Sequence, residues 1–147
     1  MMERASTSRV VRIGAEEYLP FHGQQHLHLV GDLKMPTLHP FFRDARLEII
    51  LCFYAAGDDG LFHWHRDVTE YEILLEGAVG YVEASTGVTH WLGPGDCSVV
   101  PAGVCVKRLV QGSTRTVAVK VPSAAEKVHC SACASECVSR QEPFAEV

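Results

Sequence analysis

A chain of 147 residues that is 47% apolar and 21% charged has the size of one domain with a real core, far from disordered or fibrous compositions. Its 18 acidic against 13 basic residues give a net charge of −5, with no basic stripe to neutralise a row of phosphates, so nucleic acid is not an expected partner. No apolar run reaches the roughly 20 residues that cross a bilayer, and "MMERASTSRVVRIG" lacks the apolar centre of a secretory signal. A cytoplasmic protein without a membrane partner is expected. In that compartment its six cysteines are expected free or metal-bound, not paired.

In chain order, residues 1–46 read as an N-terminal arm. Residues 1–9 are polar and expected to fray. The stretch from Val10 to Pro40 is interrupted by Gly14, Pro20, Gly23, Gly31 and Pro36 and is expected to wrap the core or add an edge strand. Its histidines, His22, His26, His28 and His39, read as structural: His26 and His28 are spaced His-x-His, but no glutamate follows at a matching distance.

Residues 47–122 carry short β-branched or aromatic runs: "LEIILCFYA", "LFHWHR", "EYEILLEGAVGYVEA", "VTHWLG", "DCSVVPAG", "VCVKRLV" and "TRTVAVKVP". Turn-forming "AGDDG", "STG", "GPGD", "PAG" and "QGS" separate them. Closely spaced strands without helical periodicity predict an all-β barrel or sandwich. Residues 123–147 form a tail, "SAAEKVHCSACASECVSRQ" and a loose end, with modest helix propensity.

The stretch that carries chemistry is "GDDGLFHWHRDVTEYEILLEG", Gly57 to Gly77. Residues two apart on a strand share a face, so His63 and His65 point together while Trp64 points away. Glu70 opens the next strand, and a short turn over "RDVT" returns its carboxylate toward the imidazoles. Two imidazoles and a carboxylate make a facial metal set that leaves coordination positions open.

The same run resembles the first cupin motif, a glycine followed by His-x-His, Glu and Gly at fixed intervals. Gly57, His63, His65, Glu70 and Gly77 meet every position. The second cupin motif is similar to "GPGDCSVVPAGVCVKRL" at Gly95, Pro101 and Gly103. The resemblance covers about residues 47–121 and implies an antiparallel jelly-roll β-barrel with one divalent metal inside near its mouth, Fe(II) favoured and Zn, Mn or Ni as alternatives.

The second motif departs from the pattern at its end, where Val106 stands in place of the ligating histidine. Three explanations stay open: three protein ligands and water, a substitute such as Cys105 or His90, or a barrel that keeps a pocket without catalytic metal. The intact His63, His65 and Glu70 favour metal, because three polar groups aimed into an apolar barrel cost a few kcal/mol each when unpartnered.

Glu72 shares the face of Glu70. In a dry pocket its pKa would rise and it could act as a general base; in a wet one it would be solvated or paired with Lys107 or Arg108. Tyr54 and Tyr81 lie on flanking strands, where their hydroxyls could orient a substrate or their rings simply fill the core. In the tail, His129, Cys130, Cys133 and Cys137 could hold tetrahedral zinc or be reduced and mobile.

The expectation is a cupin-type enzyme acting on a small oxygenated molecule, foremost an Fe(II) dioxygenase-type oxidoreductase, with Glu72 and Tyr54 as catalytic groups. A Zn, Mn or Ni isomerase or lyase, and a non-catalytic small-molecule-binding or sensing module, are the alternatives. Barrel edges that pair between subunits point to a homodimer.

Overall fold

The computed structural model of the chain describes residues 2–3, 10–124 and 126–130. Its N-terminal part holds β1 (Met2–Glu3), a one-turn helix α1 (Ala15–Tyr18), β2 (His26–Val30) and β3 (Pro40–Phe41). The barrel follows as β4 (Glu48–Tyr54), β5 (His63–Trp64), β6 (Thr69–Glu83), β7 (Thr89–Leu92), β8 (Cys97–Val100) and β9 (Val106–Val121), and β10 (Val128–His129) closes the described chain. No helix among the described residues is long and apolar enough to cross a membrane.

Two long strands organise the barrel. β6 and β9 run antiparallel along nearly their whole length, from Thr69 opposite Val121 to Glu83 opposite Val106. The far half of β9 also pairs with β4, and its near half with β5 at Val106 opposite His63. β7 and β8 take the other edge of β6. Strands this long must bend to enclose a core, and glycine supplies the bend. The register slips around Glu76, next to Gly77 at φ +93. A Cβ at Gly77 would lie 2.4 Å from the Ser113 carbonyl oxygen, so only glycine fits.

Opposite that bend, Gly112 has φ +73. This corrects the expectation of separate strands for "VCVKRLV" and "TRTVAVKVP". "QGS" bends one continuous strand, because a left-handed glycine turns the backbone without ending the ladder.

Strand parity sorts the side chains. In β4, Glu48, Ile50, Cys52 and Tyr54 are buried in strict alternation; Leu74, Val79, Val110 and Ala118 join them in the core. The arm contributes the expected edge strand: β2 pairs with β4, placing His26 opposite Cys52 and His28 opposite Ile50.

The tail departs from its helical expectation over the described part. β10 pairs with β5, Val128 opposite Trp64 and His129 opposite His63, and the Cys130 amide donates to the Phe62 carbonyl at 2.9 Å. A two-residue strand with one open edge gains backbone partners this way. Cys52, Cys97 and Cys105 are free, but Cys130 is disulfide-bonded, against the expectation of unpaired thiols. A sulfur in a disulfide is no thiolate and cannot bind zinc as one. Cys133 and Cys137 lie outside the described residues.

Candidate functional site

β5 carries the first imidazole and the turn after it the second. A ligand atom each from His63, His65 and Glu70 lies within 4.8 Å of the others, and the imidazole rings are 5.5 Å apart at 82°. His63 Nδ1 donates to the Leu61 carbonyl at 3.1 Å, and His65 Nδ1 donates to the Glu126 carbonyl. A carbonyl only accepts, so each Nδ1 carries a hydrogen, and in the neutral ring Nε2 is the nitrogen whose lone pair is left for the cavity. The Glu126 carboxylate in turn accepts the Arg66 amide.

These atoms fit a cation. His65 Nε2 is buried without a hydrogen-bond partner among the described residues and faces Glu70 Oε2 at 3.5 Å, too far for a bond. A lone pair facing a carboxylate leaves both wanting a positive charge between them. Burial pushes the His63 imidazole down to about 4, so it is neutral at ordinary pH. For Glu70, burial works upward and the Lys120 ammonium downward, and the carboxyl lies below its usual range. A neutral imidazole at His63 and an anionic carboxylate at Glu70 are protonation states that metal ligation requires.

Glu72 lies two residues on, inside the same cavity of about 190 Å³. It is buried; Thr116 Oγ1 donates to its Oε2 at 3.0 Å, while Oε1 has no partner among the described residues. Burial first, and then the Glu70 anion, push the carboxyl up to about 7. The solvated alternative for Glu72 therefore fails: no water-rich face surrounds it, and Thr116 takes the place foreseen for Lys107 or Arg108.

Tyr54 and Tyr81 both line the cavity. The Tyr54 hydroxyl lies 3.1 Å from His26 Nε2 and 3.4 Å from Arg108 Nη1, and the guanidinium stacks 4.1 Å above its ring. Burial raises its pKa, so it stays a hydrogen donor. Val106 lines the cavity beside His63. Neither proposed substitute for it lines the cavity: Cys105, its neighbour in sequence, is buried, and His90 is largely exposed, 3.9 Å from Glu83.

The structure also brings in groups that the sequence reading set aside. His26 and His28 line the cavity; burial lowers each to about 4, so they are neutral polar walls. Lys120 and Lys127 line it as well. The signal for Lys120 was the alternation Thr116, Ala118, Lys120, polar or small between valines. No local signal marks Lys127, which arrives on the segment before β10.

No family model and no curated protein matches the chain. Solved structures do. A Klebsiella pneumoniae protein with a double-stranded β-helix domain is 16% identical with a TM-score of 0.53, covering 58% of this chain and 76% of that one. A sugar phosphate isomerase from a cupin superfamily, from Silicibacter pomeroyi, is 23% identical at 0.51, covering 58% and 57%. The DMSP lyase DddQ from Ruegeria pomeroyi is 21% identical at 0.56, covering 76% and 53%. The chain thus spans little more than half the length of the isomerase and the lyase. With the paired long strands and the His-x-His and Glu set inside the barrel, these likenesses show that the chain has the cupin fold.

Proposed function

We propose that the chain is a metal-dependent enzyme that moves a proton on a small oxygenated organic molecule, as an isomerase or lyase does. His63, His65 and Glu70 hold the metal, which when bound would act as a Lewis acid on a substrate oxygen. Glu72 takes or returns the proton through its unclaimed Oε1. Tyr54, oriented by Arg108 and His26, donates a hydrogen bond to the substrate. The apolar walls, Val104 and Val106 among them, exclude water from the reacting atoms. The likeness to an isomerase and a lyase is compatible with this chemistry, though fold alone does not choose a reaction.

The observation that carries the reading is Glu72, a buried carboxyl with one free oxygen in the cavity of the three ligands. Its test is deuterium wash-in, followed by proton NMR, on a panel of small hydroxy and keto acids and neutral sugars. Protein purified without a tag and loaded with metal should exchange a carbon-bound hydrogen of at least one compound. Glu72→Gln should slow that exchange about a hundredfold or more while metal content stays unchanged. Equal exchange rates in the two proteins remove Glu72 from the chemistry.

A second reading, the Fe(II) dioxygenase-type oxidoreductase, is favoured by the facial three-ligand set and by valine at the fourth position, which leave adjacent positions open. Substrate-dependent oxygen uptake by the ferrous protein would select it over proton transfer. A homodimer belongs to either reading: Ile73, Leu75 and Trp91 are 42%, 47% and 47% exposed on β6 and β7. Light scattering should give twice the 16.2 kDa chain mass, and the mass of one chain refutes the dimer.

A further inference from the structure

Arg108, Lys120 and Lys127 converge on the cavity from two separate parts of the chain. Arg108 and Lys120 stand on the two halves of β9, and Lys127 comes from the segment that β10 fastens to β5. None of the three forms an ion pair with a carboxylate among the described residues. The Arg108 guanidinium is clamped by the Asp58 carbonyl, to which Nε and Nη2 donate at 3.2 and 2.9 Å. With Nη1 donating to the Tyr54 hydroxyl at 3.4 Å, two of its five N–H groups have no partner among the described residues.

The cavity's own acids do not neutralise this set. Glu70 is committed to the metal, and Glu72 accepts from Thr116. The three cationic side chains exceed the Glu70 and Glu72 carboxylates by one charge, which the buried Glu48, cross-strand neighbour of Lys120, offsets when ionised, and a divalent ion held by Glu70 would add two positive charges more. Burial and then Lys120 lower the Lys127 amine below its usual range. Partly desolvated like charges without counter-ions are costly to hold together unless a ligand supplies the missing anion.

We propose that the substrate is a small anion, a carboxylate or a phosphate ester, whose charged group sits among Arg108, Lys120 and Lys127 beside the metal ligands. The proposal deepens the enzymatic reading and rests on it for the word substrate; the anion site itself rests on the cations alone. A planar guanidinium and two ammonium groups suit either oxyanion, and the 190 Å³ cavity limits the ligand to a small molecule.

The test is calorimetric titration of the full chain with malonate, inorganic phosphate and neutral malonamide at matched ionic strength. It is run on chelator-treated protein, so that no metal can bind the probe, and repeated on zinc-loaded protein. At least one anion should bind saturably in both states, with malonamide silent. Malonate alone identifies a carboxylate site, phosphate alone a phosphate site. Lys120→Gln and Lys127→Gln should each weaken binding about tenfold, the scale of one charge-assisted hydrogen bond. Lys107→Gln, outside the cavity lining, should leave it unchanged. Absence of saturable binding by either anion, or equal affinity in folded Lys120→Gln and Lys127→Gln, overturns the proposal. Metal content is measured on the same samples. Anion binding by a chain that takes up no metal upholds this site and sinks the enzymatic reading alone; metal uptake without anion binding does the reverse.

Discussion

Two sets of polar side chains share the cavity and are held in opposite ways. Each candidate metal-ligand imidazole has its second nitrogen fixed by a backbone carbonyl, Leu61 for His63 and Glu126 for His65. Of the three cations, only Arg108 is clamped, and Lys120 and Lys127 reach the cavity on long stems with no carboxylate in ion-pair contact among the described residues. Rigid ligands suit an ion that demands fixed geometry. Lysines with rotamer freedom suit a ligand whose position shifts during a reaction, since they follow the charge at little cost in directional bonding.

The largest effect should come from breaking the rigid set. His65→Ala removes a ligand and frees the Glu126 carbonyl, so bound metal should fall from about one equivalent to background and amide exchange should rise at residues 126–130. Glu126→Ala, which keeps the carbonyl, should retain metal. Loss of metal in both variants would show that the segment, rather than the imidazole, is what matters.

A smaller effect sharpens the contrast by adding to the rigid set. Val106 stands directly across from His63, so Val106→His should place a third imidazole beside the other two. Metal should then resist a competing chelator at least ~10-fold better, while turnover falls because an open position is filled. Unchanged chelator resistance would mean that this position does not reach the metal.

The smallest effect concerns pH. His26, His28 and His63 each titrate near 4 in the fold instead of 6.5, so between those values the unfolded chain binds more protons and acidification favours unfolding. Glu72 works the other way, taking a proton near 7 in the fold against 4.5 unfolded, and Glu48 is shifted in the same direction. Three histidines outweigh them, and the melting midpoint should drop as pH falls from 6.5 toward 4. The double variant His26→Asn, His28→Asn should flatten that slope. A slope unaltered in the variant would mean that these two rings are not the groups being protonated.

The clustering of the candidate metal ligands was legible because their geometry is local. Strand parity puts His63 and His65 on one face, and Glu70 follows within one turn. Glu72 was legible by the same parity, but its partner was not: Thr116 lies forty-four residues away and reaches Glu72 only through the β6–β9 register. His26 and His28 were set aside as structural although their spacing equals that of the ligands. What brings them into the cavity is the pairing of β2 with β4, which no short window contains. Lys127 is more remote still, placed by a segment whose strand pairing is decided by the open edge of β5.

The tie between His65 and Glu126 also sets an order of events. Sixty-one residues separate the two partners, so a chain emerging from the ribosome displays His63, His65 and Glu70 well before the carbonyl that orients His65 exists. Until then the imidazole can present either nitrogen, and any ion it meets is held by unaligned donors. Under the proposed function, selective loading of a metal is therefore a late step, completed when the segment through residue 126 has been made and has laid β10 against β5.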